Sequence, residues 1–330
     1  MIDESEAWSI GSQMTCLPLS DYKGMNEDGF TWITIPREQL ADKLPMLQSL
    51  TQNVINEQHI KDALNSEHPS FFDSTEEYQM IVFRSVATGQ FDMKIPKVSL
   101  NPTSIVSFCF ETVLLTVYDS HDPVVDKVKD FIKRNGSRLV ILNPADLLYK
   151  ILHTVTEQTL LLRNPLTVQI NEWQHLMLEQ ATQFTAWNEF MLFKSTMDQL
   201  TVWCEEQEDV IEDWQQYAHH TPQQQLTINL NDLGDHIERC IRFTQKLASN
   251  LDTLIQLHYS VLSHRNNEVL RVLAIISCVF LPLTLITGIF GMNFVNMPIL
   301  HRTDAYYYTI GIMICLSFSM LMVFRWRKWL

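Results

Sequence analysis

Two uncharged apolar runs near the C-terminus constrain this chain more than any other feature. Residues 272–290 read VLAIISCVFLPLTLITGIF, and residues 305–324 read AYYYTIGIMICLSFSMLMVF. As helices rising 1.5 Å per residue they would extend about 28 and about 30 Å, the thickness of a hydrocarbon core. A buried helix of a soluble protein can be apolar all round, but two such runs flanking a short connection predict a pair of membrane helices. Tyr306, Tyr307 and Tyr308 sit where an interfacial aromatic belt belongs. Arg265 and Arg271 precede the first run, and Arg325, Arg327 and Lys328 follow the second, whereas residues 291–304 carry only Arg302. The positive-inside rule therefore predicts a multi-pass protein of the cell membrane, with both termini cytoplasmic and a short outer loop. For a bacterial chain that is the inner membrane.

The remaining residues are polar and acidic. With 24 Lys and Arg against 38 Asp and Glu, the net charge is −14. That balance argues against nucleic acid as a partner, since phosphate binding needs clustered cations. The six cysteines form no CxxC pair, which suits a reducing compartment and excludes a disulfide framework. The opening residues, MIDESEAWSIGS, lack a basic n-region and an apolar h-region, so the N-terminal region is expected to stay cytoplasmic.

Residues 30–110 carry β-branched and aromatic residues at nearly alternating spacing in FTWITI, MIVFRSVA and SIVSFCF, and TVLLTVYD follows with the same character. Helical stretches such as ADKLPMLQSL and DPVVDKVKDFIKR intervene, so a sheet layered with helices is expected. From Asn143 onward strand signals vanish. Asn143-Pro144 with Asp146 marks a helix start, Asn164-Pro165 an interruption, and residues 166–218 continue the helical pattern. After HHTPQQ a last long helix begins near Asn231 or Asp232. Within it Ile237, Cys240, Thr244, Leu247, Leu251, Leu254, His258 and Val261 recur at steps of three and four. This heptad seam runs without Pro or Gly from Asp235 into the first membrane run. Some sixty residues of helix would reach roughly 90 Å, more than one compact domain covers, so a symmetric oligomer is expected.

The fold class expected is thus an α+β membrane protein. An N-terminal cytoplasmic α/β and helical domain (1–230) leads into a stalk helix (231–268), which continues into a first transmembrane helix (269–290). An outer loop (291–304), a second transmembrane helix (305–324) and a basic tail (325–330) follow.

Gly291-Met292-Asn293 stands at the outer end of the first membrane helix. A glycine at a helix end is routine, as a left-handed cap. The stretch NNEVLRVLAIISCVFLPLTLITGIFGMNFVNMP, residues 266–298, resembles the CorA-type, or GMN, divalent cation transporters. The two-helix hairpin, the basic tail ending KWL, the stalk and the mixed α/β region fit the same architecture.

The resemblance implies a homopentamer whose first membrane helices line one pore, carrying Mg²⁺ and possibly Co²⁺ or Ni²⁺. It implies no covalently bound cofactor; the divalent cation is substrate and possible regulator. In that family the GMN asparagine forms an amide ring at the outer entrance, which here is Asn293, with Gly291 letting the backbone turn into the mouth. Mg²⁺ dehydrates reluctantly, so a neutral oxygen ring holds it through its water shell. The positions in phase with that axis are Asn267, Leu270, Leu273 or Ala274, Ser277, Leu281, Thr284 and Gly288. By the same resemblance Thr284 and Asn267 match polar pore positions. Leu270, Leu273 and Leu281 would form apolar rings that gate by dewetting. For Ser277 and Thr284 the other reading is a hydrogen bond to the preceding helical turn. The chain departs from the family in having Phe290 where Tyr is common. It also has Ile299 where an acidic residue is common, followed by His301 and Arg302, with Asp304 the only carboxylate in the loop. A zinc-handling ZntB type of the same superfamily is the second reading.

Two further clusters have a surface reading and a binding reading. Glu205, Glu206, Glu208, Asp209, Glu212 and Asp213, between Trp203 and Trp214, form either a solvated helix face, which is preferred, or a cation-collecting surface. His219 and His220, with Asp232, Asp235 and His236, are either exposed or a zinc site. No phosphate-loop, dinucleotide, zinc-protease or nucleophile-elbow motif occurs, and no enzyme is expected. The rival class is a membrane-anchored signalling or scaffold protein, which would need neither the outer GMN nor an inward polar stripe.

Overall fold

The computed structural model describes residues 4–11, 14–22, 29–51, 53–87, 91–92, 97–98, 100–120, 122–135, 141–179, 184–218, 224–292 and 304–327. In chain order the elements begin with β1 (Glu6–Gly11), β2 (Thr15–Pro18), β3 (Gly29–Pro36), α1 (Leu40–Thr51) and α2 (Glu57–Leu64). Then come β4 (Phe71–Ser74), β5 (Gln79–Ala87), the two-residue strands β6 (Phe91–Asp92) and β7 (Lys97–Val98), β8 (Asn101–Cys109) and β9 (Val113–Tyr118). The rest is helical: α3 (Pro123–Asn135), α4 (Pro144–Leu161), α5 (Arg163–Glu179), α6 (Trp187–Ala218), α7 (Gln224–Phe290) and α8 (Ala305–Trp326). One compact unit holds the elements up to Leu254 within α7, and a second begins at Ile255.

Seven strands form one sheet in the order β2-β1-β3-β9-β8-β5-β4. Only β3 and β9 are parallel, with Ile33 opposite Leu115, and every other neighbouring pair is antiparallel. Alternation along the strands splits the core between the two faces. Ile33, Ile35, Leu115, Val117, Val106 and Phe108 pack with Leu40 and Leu47 of α1 and Ala63 of α2. Trp32, Leu114, Phe83 and Ile105 point the other way and are equally buried. That second face is covered by α4, with α6 against β4 and β5. The indole of Trp32 donates to Thr116 Oγ1 at 3.0 Å, so its polar atom is satisfied inside.

A buried arginine fixes the junction where the layers meet. Arg37, just past β3, donates through Nε to Asp119 Oδ1 at 2.6 Å at the end of β9. Its other nitrogens donate to the carbonyls of Ala63 and Ser104, and to Ser104 Oγ at 3.2 Å. One guanidinium thus ties β3, β9, β8 and the end of α2 together.

Asn143 opens α4, accepting from the Asp146 amide at 2.8 Å, and Asp146 Oδ2 accepts in return from the Leu142 amide at 3.2 Å. The break after α4 falls at Leu162 rather than at Asn164-Pro165. Pro165 sits in the first turn of α5, where no amide is needed.

The long helix differs from its sequence reading in two ways. It starts at Gln224, about two turns ahead of Asn231, and Leu226, Leu230 and Leu233 are already buried. Its heptad seam is also spoken for within the chain. Ile237, Cys240, Thr244, Leu247, Leu251 and Leu254 are all buried, and the Cys240 thiol lies 3.8 Å from the Thr156 carbonyl of α4. Gln215 of α6 reaches Asn231 at 3.3 Å, and Lys194 of α6 reaches Asp252 at 3.2 Å. The seam therefore marks in-chain packing and does not by itself require an oligomer.

The Arg37 junction yields a stability prediction. Arg37→Met should cost about 3–5 kcal/mol, since it leaves Asp119 and two carbonyls without their partner. Denaturant unfolding of the solubilised protein checks it, and a loss below about 1 kcal/mol would refute the role given to Arg37.

Candidate functional site

The second compact unit contains the 255–290 part of α7 together with α8. In the most apolar window of each helix, 6% and 0% of residues are buried, so neither is the core helix of a soluble domain. Within this unit α7 has two contrasting faces. Ile275 is buried, and Val279, Pro282, Leu283, Ile286 and Phe290 are half-buried. On α8 the half-buried positions are Ala305, Thr309, Met313, Leu316, Ser317, Met320 and Phe324. Leu283 lines one apolar cleft with Ile310, Met313, Ile314, Ser317, Phe318 and Leu321, so these two stripes are the faces that meet.

Asn267, Leu270, Leu273, Ser277, Leu281, Thr284 and Gly288 are all exposed. At 100° per residue their mean direction lies roughly half a turn from the α8-facing stripe. Leu281, 70% exposed, sits near the middle of this uncovered face.

The hydroxyls on this face are hydrogen-bonded within the helix. Ser277 donates to the Leu273 carbonyl at 2.9 Å and Thr284 to the Phe280 carbonyl at 2.8 Å. Spending the proton inward leaves the oxygen lone pairs facing out, which is the polarity that a hydrated cation's water hydrogens require.

At the C-terminal end of α7, Gly291 is not a left-handed cap. Among the described glycines only Gly29 has a positive φ. The Gly291 amide still donates to the Thr287 carbonyl at 2.9 Å, and Met292 donates to Ile289 at 3.3 Å, so the helical turn persists. A Cβ at 291 would lie 3.2 Å from the Thr287 carbonyl oxygen, the same carbonyl that its amide bonds one turn back. Asn293 and the rest of the loop to residue 303 lie outside the described residues.

The acidic run on α6 is not uniform. Glu206 is turned into the fold, with Oε2 3.4 Å from Arg84 Nη1 and 3.3 Å from the Ser70 amide. Glu205, Asp209, Glu212 and Asp213 are exposed, and Glu208 is half-buried. Burial first, then repulsion from Glu212, Asp209, Glu238 and Glu205, raises the Glu208 carboxyl above its ordinary value.

The histidine cluster is rearranged relative to its sequence reading. His219 and His220 lie outside the described residues, and Asp235 is exposed. Asp232 and His236 instead meet His153 of α4, with one ligand atom from each all lying within 4.8 Å of one another. His153 is distant in sequence, and its only local signal is the i, i+4, i+8 row Tyr149, His153, Glu157.

These features coincide in one lineage. The family model for CorA-like Mg²⁺ transporter protein matches residues 27–328. The chain belongs to that family. The cobalt/magnesium transport protein CorA of Thermotoga maritima is 22% identical over 272 residues, covering 82% of this chain and 76% of that protein. The complete structure of the CorA magnesium transporter from Methanocaldococcus jannaschii superposes with a TM-score of 0.78 at 16% identity, covering 99% of this chain and 98% of the other. The cytoplasmic domain of ZntB from Vibrio parahaemolyticus has a TM-score of 0.59 at 12% identity, covering 80% of this chain and 98% of that domain. The two structural likenesses establish the CorA fold, an N-terminal α/β domain with a long helix running into apolar helices.

Glu208 supplies a pH prediction. Its raised value means that ionising it disfavours the folded state, so the chain is free of this penalty below the ordinary glutamate range. Stability is lost as pH rises through the raised value. Glu208→Gln should raise stability at neutral pH by a few tenths of a kcal/mol after solvent screening, or about 1 °C in Tm. The gain should vanish below about pH 4. Paired thermal melts at the two pH values check this, and an equal gain at both would refute it.

Proposed function

We propose that this chain is a divalent cation channel of the CorA type, with Mg²⁺ its principal substrate, and Co²⁺ or Ni²⁺ carried as well. The pore is the axis of a homopentamer in the cell membrane, with both termini cytoplasmic. The observation that supports it most is the uncovered face of α7. It runs from Asn267 to Gly288 without a charge, lies opposite the α8-facing stripe, and leads to Gly291-Met292-Asn293. In this reading residues 1–230 form the cytoplasmic domain and 231–268 the stalk. The spans 269–290 and 305–324 enclose the outer loop 291–304 and precede the tail 325–330.

The mechanism follows from the ion. Mg²⁺ holds its water shell tightly, so entry is easiest where neutral oxygens bind the shell rather than the bare ion. Asn293 supplies one amide oxygen per protomer at the mouth. Thr284 and Ser277, with lone pairs outward, continue hydrogen-bond acceptance deeper in. Leu281, Leu273 and Leu270 are the rings that dewet when the pore closes. Glu205, Glu208 and Asp209 are proposed as a cytoplasmic face where the transported ion relieves like-charge repulsion, with Glu206 anchored by Arg84. The second reading, Zn²⁺ transport of the ZntB kind, draws on the likeness to the ZntB cytoplasmic domain and on His301 and Arg302 standing in the outer loop.

Dye-reported flux through reconstituted protein, with Mg²⁺, Zn²⁺, Co²⁺ and Ni²⁺ in parallel, tests the function. Asn293→Ala should reduce Mg²⁺ flux by roughly tenfold or more, because each lost acceptor weakens capture by about 1 kcal/mol. Met292→Leu, a volume-conserving change, should be milder. Wild-type flux and ion preference in Asn293→Ala would defeat the channel reading and favour a bare anchor.

Leu281→Ser tests the gate separately. A hydroxyl ring lowers the cost of wetting, so basal flux should rise severalfold in protein of unchanged assembly. Unchanged basal flux would remove the gate from this position.

A further inference from the structure

Where α4 and the beginning of α7 pack together in the first unit, five polar side chains converge. Tyr149, His153 and Glu157 come from successive turns of α4, and Asp232 and His236 from successive turns of α7. The rings of His153 and His236 are 4.9 Å apart, and His236 Nε2 is 3.9 Å from Asp232 Oδ1. Tyr149 donates its hydroxyl proton to Asp232 Oδ2 at 2.9 Å. Glu157 Oε2 stands 3.7 Å from His153 Nδ1. The Nδ1 atoms of both histidines are buried and have no hydrogen-bond partner among the described residues.

Two adjacent imidazoles, each with an unsatisfied buried nitrogen and a carboxylate beside them, are an arrangement that packing alone does not reward. From these contacts we propose that His153, His236 and Asp232 form a binding site for a transition-series divalent cation of the Zn²⁺ or Co²⁺ class. It lies within the first unit and does not depend on the proposed conduction face.

The ligand chemistry selects the ion. Imidazole nitrogen suits Zn²⁺, Co²⁺ and Ni²⁺, whereas Mg²⁺ demands six oxygens in octahedral geometry. Two histidines and one carboxylate make three of the four ligands of a tetrahedral ion, with water or Glu157 as the fourth. Around Zn²⁺, ligand atoms sit about 3.3 Å from one another, given bonds near 2.0 Å. The present separations are at most 4.8 Å, within about 1.5 Å of that spacing. Tyr149 behind Asp232 is the outer partner that orients a metal-bound carboxylate. The ion joins α4 to α7 only when both are folded, so it stabilises this junction.

Purified full-length protein in detergent, with excess Mg²⁺ to occupy oxygen sites, is titrated with Co²⁺ and read by visible absorption. The wild type should give the intense bands of low-coordinate Co²⁺, saturating near one ion per chain and displaced by Zn²⁺. Zn²⁺ should also raise Tm relative to an EDTA-treated sample. The double variant His153→Ala, His236→Ala should lose both signals, and Tyr149→Phe should bind about tenfold more weakly. Asp235→Asn, beside the site but pointing to solvent, should match the wild type. If the double variant folds poorly, His153→Gln, which keeps a polar side chain of similar length, carries the same expectation. A Co²⁺ spectrum that is absent in the wild type, or that persists in variants with the wild type's metal-free Tm, overturns the site.

Discussion

One uninterrupted helix has to be compatible with two different solvents, and most of the sequence's organisation answers to that. Over its first half α7 carries a single buried stripe, Leu230, Leu233, Ile237, Cys240, Thr244, Leu247, Leu251 and Leu254. Leu226, Ile241 and Phe243 widen that stripe, and polar residues fill most of the other positions, as an amphipathic helix against a water-soluble domain requires. Past Arg271 no charged residue follows as far as Phe290, and the mostly apolar composition is that of a helix able to cross a hydrocarbon core. The helix stays continuous across the change, although Pro282 has no N–H and so removes the ladder bond to the Cys278 carbonyl. A helix that satisfies nearly all its own peptide groups is the element that can pass from water into lipid in this way.

The α/β domain shows the complementary economy. Its central strands are buried on both faces, so polar atoms inside must find partners there. Trp32 bonds Thr116, and Arg37 gathers two carbonyls, a hydroxyl and Asp119. A guanidinium suits this position because its planar fork presents several donors at once. The junction closes the one parallel pairing in the sheet, β3 with β9, whose connection runs through α1, α2 and the intervening strands.

What the sequence revealed depended on whether a signal was local. The apolar runs at 272–290 and 305–324, the strands rich in Val, Ile and Phe, and the Asn143-Pro144 helix start were all legible, because each rests on composition or capping within one segment. Strands β1 and β2 were not, since EAWSIG and TCLP are short and β2 is wholly exposed at the sheet edge. The heptad periodicity identified a buried stripe correctly but could not say what buries it; α4 and α6 do so through Leu254. Gly291 looked like a left-handed cap and instead continues the helical turn, its amide bonded to the Thr287 carbonyl. His153 escaped notice because the residues it meets lie on another helix, and no local spacing encodes that.

The glycines of the membrane helices carry the last step. At Gly291 a Cβ would stand 3.2 Å from the carbonyl oxygen of Thr287, one helical turn back. Beyond its own helix, a Cβ at Gly288 or Gly311 would meet nothing within 4 Å. Glycine inside a helix costs about 1 kcal/mol relative to alanine, and a membrane helix tolerates it most readily where another backbone or a narrow passage comes close. Gly288 sits on the uncovered face, one turn beyond Thr284 and one turn before Met292. In the proposed pore this open position would face helices converging on an axis, near a mouth wide enough for an ion still carrying its water.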